Sequence, residues 1–214
     1  MAVSDPTAEV ELSLLSGGAR LVIGCDEVGR GAVAGPVAVG MAGYYAGLGE
    51  HPAGLRDSKL VSEKKRALLD PLVREWAPYT AVGMASAAEV DELGIVPALA
   101  LAGKRALARL HEAGADIAGS IILLDGSHDW LSPALTHPLD VRTRVKADRD
   151  CVSVAAASIV AKVERDTLMC ARDLEFPGYG WAKNKGYGAP THLAAVTELG
   201  LSPEHRKTWL TAYV

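Results

Sequence analysis

The sequence predicts an α/β fold in which a β-sheet of mixed direction is flanked by helices. Two observations predict it. Strand-length apolar runs cluster early in the chain, helix-length alanine-rich stretches cluster late, and the two alternate between about residues 79 and 175. Several of the strand-like runs also end directly in acids or in Gly-rich turns, which suits a sheet whose loops carry a site. The 214 residues suit one domain, and 49% apolar with 22% charged residues is ordinary globular composition. A net charge of -4 supplies no global basic field, so any nucleic-acid binding must come from local patches.

Taken in order, residues 1 to 18 are polar and end in Ser16-Gly17-Gly18, which suits a short helix or loose tail. Leu21 to Cys25 is an apolar run bounded by glycine, the first strand. Val37 to Tyr45, rich in small and β-branched residues, is its hairpin partner, and Gly47 to Arg56 is a loop. Ser62 is placed to cap a helix running to about Trp76, which Pro71 should kink or restart. Tyr79 to Ala85 is a third strand, and Ser86-x-x-Glu89 is a capping box opening a short helix. Ile95 to Ala113 has alanine and leucine at helical spacing, with Lys104, Arg105 and Arg109 on its polar side. Ile121 to Leu124 is a buried strand ending in Asp125-Gly126. Leu139 to Val145 alternates apolar and basic residues and runs into Lys146-Ala147-Asp148. Val152 to about Leu174 is a long helix, small-residued from Ala155 to Ser158. A loop through Gly188 follows, then closing helices at Thr191–Leu199 and Glu204–Leu210.

Three strand ends thus carry acids: Asp26-Glu27, Asp125 and Asp148. Acids buried together repel and do not coexist ionised without cations. Oxygen ligands without His or Cys suit Mg²⁺ or Mn²⁺, and two such ions serve phosphodiester hydrolysis. Neighbouring strand residues point to opposite faces, so Asp26 and Glu27 share a site only if the strand bends or ends there. Gly29 and Gly31 permit that. The three cysteines, Cys25, Cys151 and Cys170, are scattered without a CxxC pair, which argues against a disulfide framework or zinc site. No signal segment or membrane-length apolar run is evident, and the expectation is a cytoplasmic protein.

The ordered set CDEVGRGAVAGPV (25–37), DSK (57–59), DELG (91–94), LLDG (123–126), KAD (146–148), SVAAASIVAKVERD (153–166) and FPGYGWAKNKGYG (176–188) resembles the bacterial ribonuclease HII family. The resemblance implies a ribonuclease H-like fold over residues 19–175, with a C-terminal loop and helices (176–214) completing a substrate groove. It implies that Asp26, Glu27, Asp125 and Asp148 bind two divalent ions, Mg²⁺ or Mn²⁺. It implies cleavage of the RNA strand of RNA/DNA hybrids and nicking 5′ of single ribonucleotides in duplex DNA. Gly29-Arg30-Gly31 matches the motif whose backbone reads the ribose 2′-hydroxyl, the group that separates RNA from DNA. Tyr187 matches the tyrosine that packs on the sugar 3′ of the cleaved bond. Ser58, Lys59, Lys146, Lys185, Thr191 and His192 are candidate phosphate contacts, which position without reading sequence. Leu60 stands where many relatives have a second lysine. A monomer is expected, and the C-terminus shows no clear sliding-clamp-binding peptide.

Two other readings compete. A dinucleotide-dependent oxidoreductase would use the glycines as a phosphate cradle opening a helix, but Pro36 and the valines after them point to a strand. A noncatalytic hybrid-binding module would keep the basic loops and Tyr187 yet has no need of four acids. Asp166, mid-helix beside arginine, reads as a surface or structural pair; Glu89, Asp91 and Glu92 read as helix-start charges; Cys25 reads as a packing residue.

Overall fold

β1 (Leu21–Val28) is the middle strand of the sheet in the computed structural model, which describes residues 5–213. It pairs antiparallel with β2 (Val37–Tyr44), and β2 pairs antiparallel with β3 (Thr80–Ala85). On its other side β1 runs parallel to β4 (Ser120–Asp125), which runs parallel to β5 (Asp140–Arg144). Among the described residues the sheet has five strands in the order β3-β2-β1-β4-β5. The mixed direction follows from connection length: a short turn joins β1 to β2, whereas helices bridge β3 to β4.

The helices before β4 are α1 (Glu9–Ser16), α2 (Glu63–Trp76), α3 (Ala87–Leu93) and α4 (Ile95–Glu112). After β5 come α5 (Ala147–Asp150), α6 (Val152–Glu175), α7 (Trp181–Asn184) and α8 (Pro190–Leu199). One face of the sheet packs on α4, where Ile23, Cys25, Met41, Ile122 and Leu124 meet Leu99 and Leu110. On the other face Ala38, Ala42 and Val82 meet the start of α6, Val152 to Val160, with α2 alongside. The small residues foreseen at the start of α6 have a partner in glycine: a Cβ at Gly24 or Gly40 would strike the α6 backbone at Ser153 or Ala157. Backbone-to-backbone contact replaces side-chain interdigitation there. The Ser86 capping box forms as its spacing predicts. No helix among the described residues is long and apolar enough to cross a membrane.

Two local expectations need correction. Pro71 does not interrupt α2, because Leu69 and Val73 are buried in the second core on either side of it. Glu204–Leu210 is no α-helix; Arg206 turns inward with a non-helical backbone, leaving 3₁₀ turns at Lys207–Trp209 and Thr211–Tyr213. Of the two readings of the N-terminal segment, the short helix is the one that forms, as α1. Glu11 of α1 is fully buried and accepts from the Ser153 amide at 2.8 Å and the Ser153 hydroxyl at 2.7 Å. It therefore caps the first turn of α6 from 142 residues away, where the helix dipole favours a negative group. Glu11→Ala is expected to lower unfolding free energy by about 2 kcal/mol, the range for hydrogen bonds to charged groups, with Glu11→Gln recovering most of it. Equal urea midpoints for wild type and Glu11→Ala would overturn that role.

Candidate active site

Asp26 and Glu27 lie within β1, which does not end at them as geometry alone demanded. What ends is the pairing on one side. β1 stays bonded to β2 through Val28↔Ala38, whereas its ladder with β4 stops at Cys25↔Leu124. Beyond that point the two parallel strands part at their C-terminal ends, and Asp26, Glu27 and Asp125 border the opening. Such openings are where ligands bind in α/β sheets. Asp148 arrives from α5 rather than from a strand end. Lys146 takes a left-handed backbone, φ 63, that reverses the chain after β5, and the Asp148 amide donates to Asp125 Oδ1 at 3.3 Å. One loop thereby binds two of the acids together.

The electrostatics are those of crowded acids. Burial pushes the Asp26 carboxyl well above the usual aspartate range; Lys59 pulls it back in part, while Glu27, Asp125 and Asp148 push it further up. Burial also raises Glu27, partly offset by Arg30, whose Nη1 reaches Glu27 Oε1 at 3.3 Å. Asp148 is raised by burial and then by Asp125 and Asp57, with Lys59 opposing. Asp57 is a further acid that the sequence reading passed over: it is fully buried, and its Oδ2 has no hydrogen-bond partner. The Lys59 ammonium stands 3.4 Å from Asp148 Oδ2 and 3.9 Å from Asp57 Oδ1. Partial burial works against its charge, but Asp26, Asp57 and Asp148 together hold its pKa above the ordinary lysine value. Among the described residues no three His, Cys, Asp or Glu side chains converge on one point. The donor chemistry nevertheless fits a hard divalent cation: oxygen-only, acidic, and short of positive charge.

The glycines of the turn after β1 separate by role. Gly29 is buried with φ +78, and a Cβ on it would strike the Arg165 guanidinium beneath. Gly31 is exposed, and a Cβ there would meet nothing within 4 Å. Arg30, Lys59, Lys146, Tyr187 and Thr191 are also exposed. The Tyr187 ring lies over Arg165 and Lys162, with Arg165 Cζ 5.5 Å and Lys162 Nζ 5.8 Å from its centroid.

Three residues expected to meet phosphates lie instead inside the protein. Ser58 is buried, its amide donating to Ser158 Oγ at 3.1 Å and its carbonyl accepting from Arg66 at 2.9 Å. Lys185 is 6% exposed, and its ammonium serves the Ala182 carbonyl, Cys170 Sγ at 3.1 Å and Glu63 Oε1 at 3.0 Å. His192 is fully buried. Its Nδ1 donates to the Tyr187 carbonyl at 2.9 Å, and its Nε2 accepts from Trp181 Nε1 at 2.9 Å and faces His205 Nε2 at 3.1 Å. Both imidazoles are neutral, His205 being pushed down to about 4 by burial and by His192. Asp166 is likewise buried, a structural pair with Lys162 at 2.8 Å.

A mixed sheet with crowded carboxylates at the mouth of its central strand defines a hydrolase of the ribonuclease H-like fold. Solved structures agree. A ribonuclease H2 from Pyrococcus horikoshii superposes with a TM-score of 0.65 at 25% identity, covering 90% of this chain and 95% of that one. A ribonuclease HII from Archaeoglobus fulgidus, solved in complex with PCNA, gives 0.68 at 27% identity, covering 88% and 95%. The family model described as Ribonuclease HII matches residues 23–212. Curated relatives of that name include one from Streptomyces avermitilis, 45% identical over 98% of this chain and 85% of its own length. Another, from Thermus thermophilus, is 46% identical over 87% and 85%. The chain belongs to the ribonuclease HII family, and is thereby a ribonuclease H, a nuclease acting on RNA/DNA hybrids.

Proposed function

We propose that the protein cleaves the RNA strand of RNA/DNA hybrids and also nicks duplex DNA 5′ of a single embedded ribonucleotide, leaving a 3′-hydroxyl and a 5′-phosphate. Removal of ribonucleotides and RNA primers from DNA, by a cytoplasmic protein, is the corresponding role. The observation that carries this reading is that Asp26, Glu27, Asp125 and Asp148 lie within electrostatic reach of one another near where β1 and β4 part, burial and acidic neighbours raising Asp26, Glu27 and Asp148. Two divalent ions, Mg²⁺ or Mn²⁺, held by these four carboxylates would activate the attacking water and stabilise the leaving oxygen. The chain's own residues do the rest. Gly31 leaves its backbone open to a sugar, Gly29 and Arg30 shape the turn, and Tyr187 offers a ring for the sugar across the junction. Lys59, Lys146 and Thr191 border the site as phosphate contacts, which fix register without reading bases. The segment 176–214 supplies one wall of the groove, anchored through Tyr179, Trp181 and Val196 on Ala34 and Met169.

The direct test is a labelled DNA duplex carrying one ribonucleotide, incubated with Mg²⁺, Mn²⁺ or EDTA, beside an Asp125→Asn variant. A metal-dependent nick 5′ of the ribonucleotide, lost in the variant, is expected. Cleavage of long hybrids alone would remove the junction reading of Gly29-Arg30-Gly31 and Tyr187. Because the empty acids repel, a divalent ion at one hundred times its Kd should also add about 2.7 kcal/mol of stability by mass action. A melting temperature that stays flat across a titration saturating activity would count against direct ligation by the cluster.

A further inference from the structure

Beneath the turn that follows β1 lie two arginines, Arg165 from α6 and Arg206 from the C-terminal segment, each fully buried. Arg165 donates to the carbonyls of Pro36 at 2.8 Å, Lys185 at 2.9 Å and Ala34 at 3.1 Å. Arg206 donates to Gly29 at 2.7 Å, Arg30 at 2.9 Å and Gly35 at 3.1 and 3.2 Å. Two guanidiniums thus hold carbonyls along the whole turn from 29 to 36 and the residue two before Tyr187. Neither is neutralised by an ion pair among the described residues. Asp166 pairs with Lys162 and Arg66, and Asp91 accepts from the Lys207 and Thr208 amides. Burial and mutual repulsion lower Arg206 to about 10, which leaves it charged at neutral pH. An isolated buried cation is costly, and a neutral donor or apolar filler would serve packing alone with less penalty.

The placement explains the arrangement. Carbonyls drawn inward by the guanidiniums leave the outer face of the turn, around Arg30 and Gly31, presented to solvent. The Arg165 guanidinium also lies against the Tyr187 ring, so a single side chain touches both halves of the recognition surface. We propose that Arg165 and Arg206 are positioning residues for ribonucleotide recognition: they lock the Gly29–Pro36 turn and the Tyr187 segment into one rigid unit. The inference rests on the reading above that Gly29-Arg30-Gly31 and Tyr187 recognise the ribonucleotide. A pre-organised contact loses discrimination when its supports are loosened, even if the chemistry is untouched.

The test compares wild type, Arg165→Lys, Arg206→Lys and Gly31→Ala. Four quantities are measured: kcat and KM on a duplex with one ribonucleotide, Kd for the same duplex made wholly of DNA, and the melting temperature. Lysine keeps the charge but cannot reach three carbonyls in a plane. For either lysine variant kcat/KM on the ribonucleotide duplex should fall about tenfold or more while all-DNA binding changes little, as for loss of a polar recognition contact. A merely structural role would lower the melting temperature and leave that ratio unmoved. If Gly31→Ala weakens discrimination and both folded lysine variants keep it, the positioning role is overturned. If Gly31→Ala keeps it too, the recognition reading fails and the inference falls with it. Should the lysine variants not fold, amide exchange of the wild type decides. Slow exchange across 29–36 in the free protein supports a rigid unit, and fast exchange that slows only with substrate refutes it.

Discussion

Asp26→Asn is expected to abolish cleavage and, in the same molecule, to raise the stability of the metal-free protein. The loss should be about 10³-fold or more, since metal-mediated charge stabilisation contributes several kcal/mol to such reactions. The gain in stability follows from the carboxyl's surroundings. Asp26 is 5% exposed, and burial with three acidic neighbours lifts its pKa well above the ordinary value. A carboxylate whose folded pKa is raised favours the fold while protonated, and that contribution is lost as pH climbs from about 4 through the folded value. At neutral pH the charged form is the penalised one. Asparagine removes the charge and keeps an acceptor for the Glu27 amide, which Asp26 Oδ1 now serves at 2.9 Å. The gain should vanish toward pH 4, where wild-type Asp26 is protonated. His192 and His205 have the opposite sign, because lowered folded values cost stability as pH falls below the ordinary imidazole value, about 6.5. Comparing variant with wild type at each pH cancels that contribution. Denaturant melts in EDTA decide the matter, and an Asp26→Asn protein less stable at pH 7 would show that the charge is accommodated.

Gly24→Ala is expected to cost about 3 kcal/mol or more, at the upper end of overpacking effects. Its Cβ would collide with the Ser153 carbonyl and the Val154 nitrogen, and both are backbone. No rotamer change relieves such a clash; α6 must lift from the sheet. Gly31→Ala adds the same methyl group in open space and should leave the melting temperature unchanged. If the two variants melt alike, the close approach of α6 to β1 is wrong. The contrast also separates a glycine that permits packing from one that faces open space.

Most of the sheet was legible because its signals are local. The apolar run Leu21–Cys25, the small β-branched stretch after Pro36 and the run Ile121–Leu124 each became a strand, and Ser86 capped its helix. The four acids stood out because each follows such a run. Burial of charge was not legible in the same way. Asp57 stood only as the first residue of the DSK motif, and Arg206 only as a residue within the expected closing helix Glu204–Leu210. Arg165 had a signal that went unused: Ala161, Arg165 and Met169 recur every four residues on α6, so the arginine sits in the apolar stripe. Glu11 had none, since its partner Ser153 lies 142 residues away. The burial of Lys185 and His192 was not legible either, because exposure depends on how the C-terminal segment folds back.

The tie between Arg206 and Gly29 spans 177 residues of sequence, close to the longest loop the chain can close. Loop closure is opposed by chain entropy, and contacts between distant residues slow folding. β1 pairs with β2 across a single turn and with β4 across about a hundred residues, both shorter closures than the Arg206 tie. Fastening of the Gly29–Pro36 turn by Arg206 is therefore expected late in folding. On the reading proposed above, a newly made chain would set Asp26 and Glu27 in their strand before it could tell a ribose from a deoxyribose.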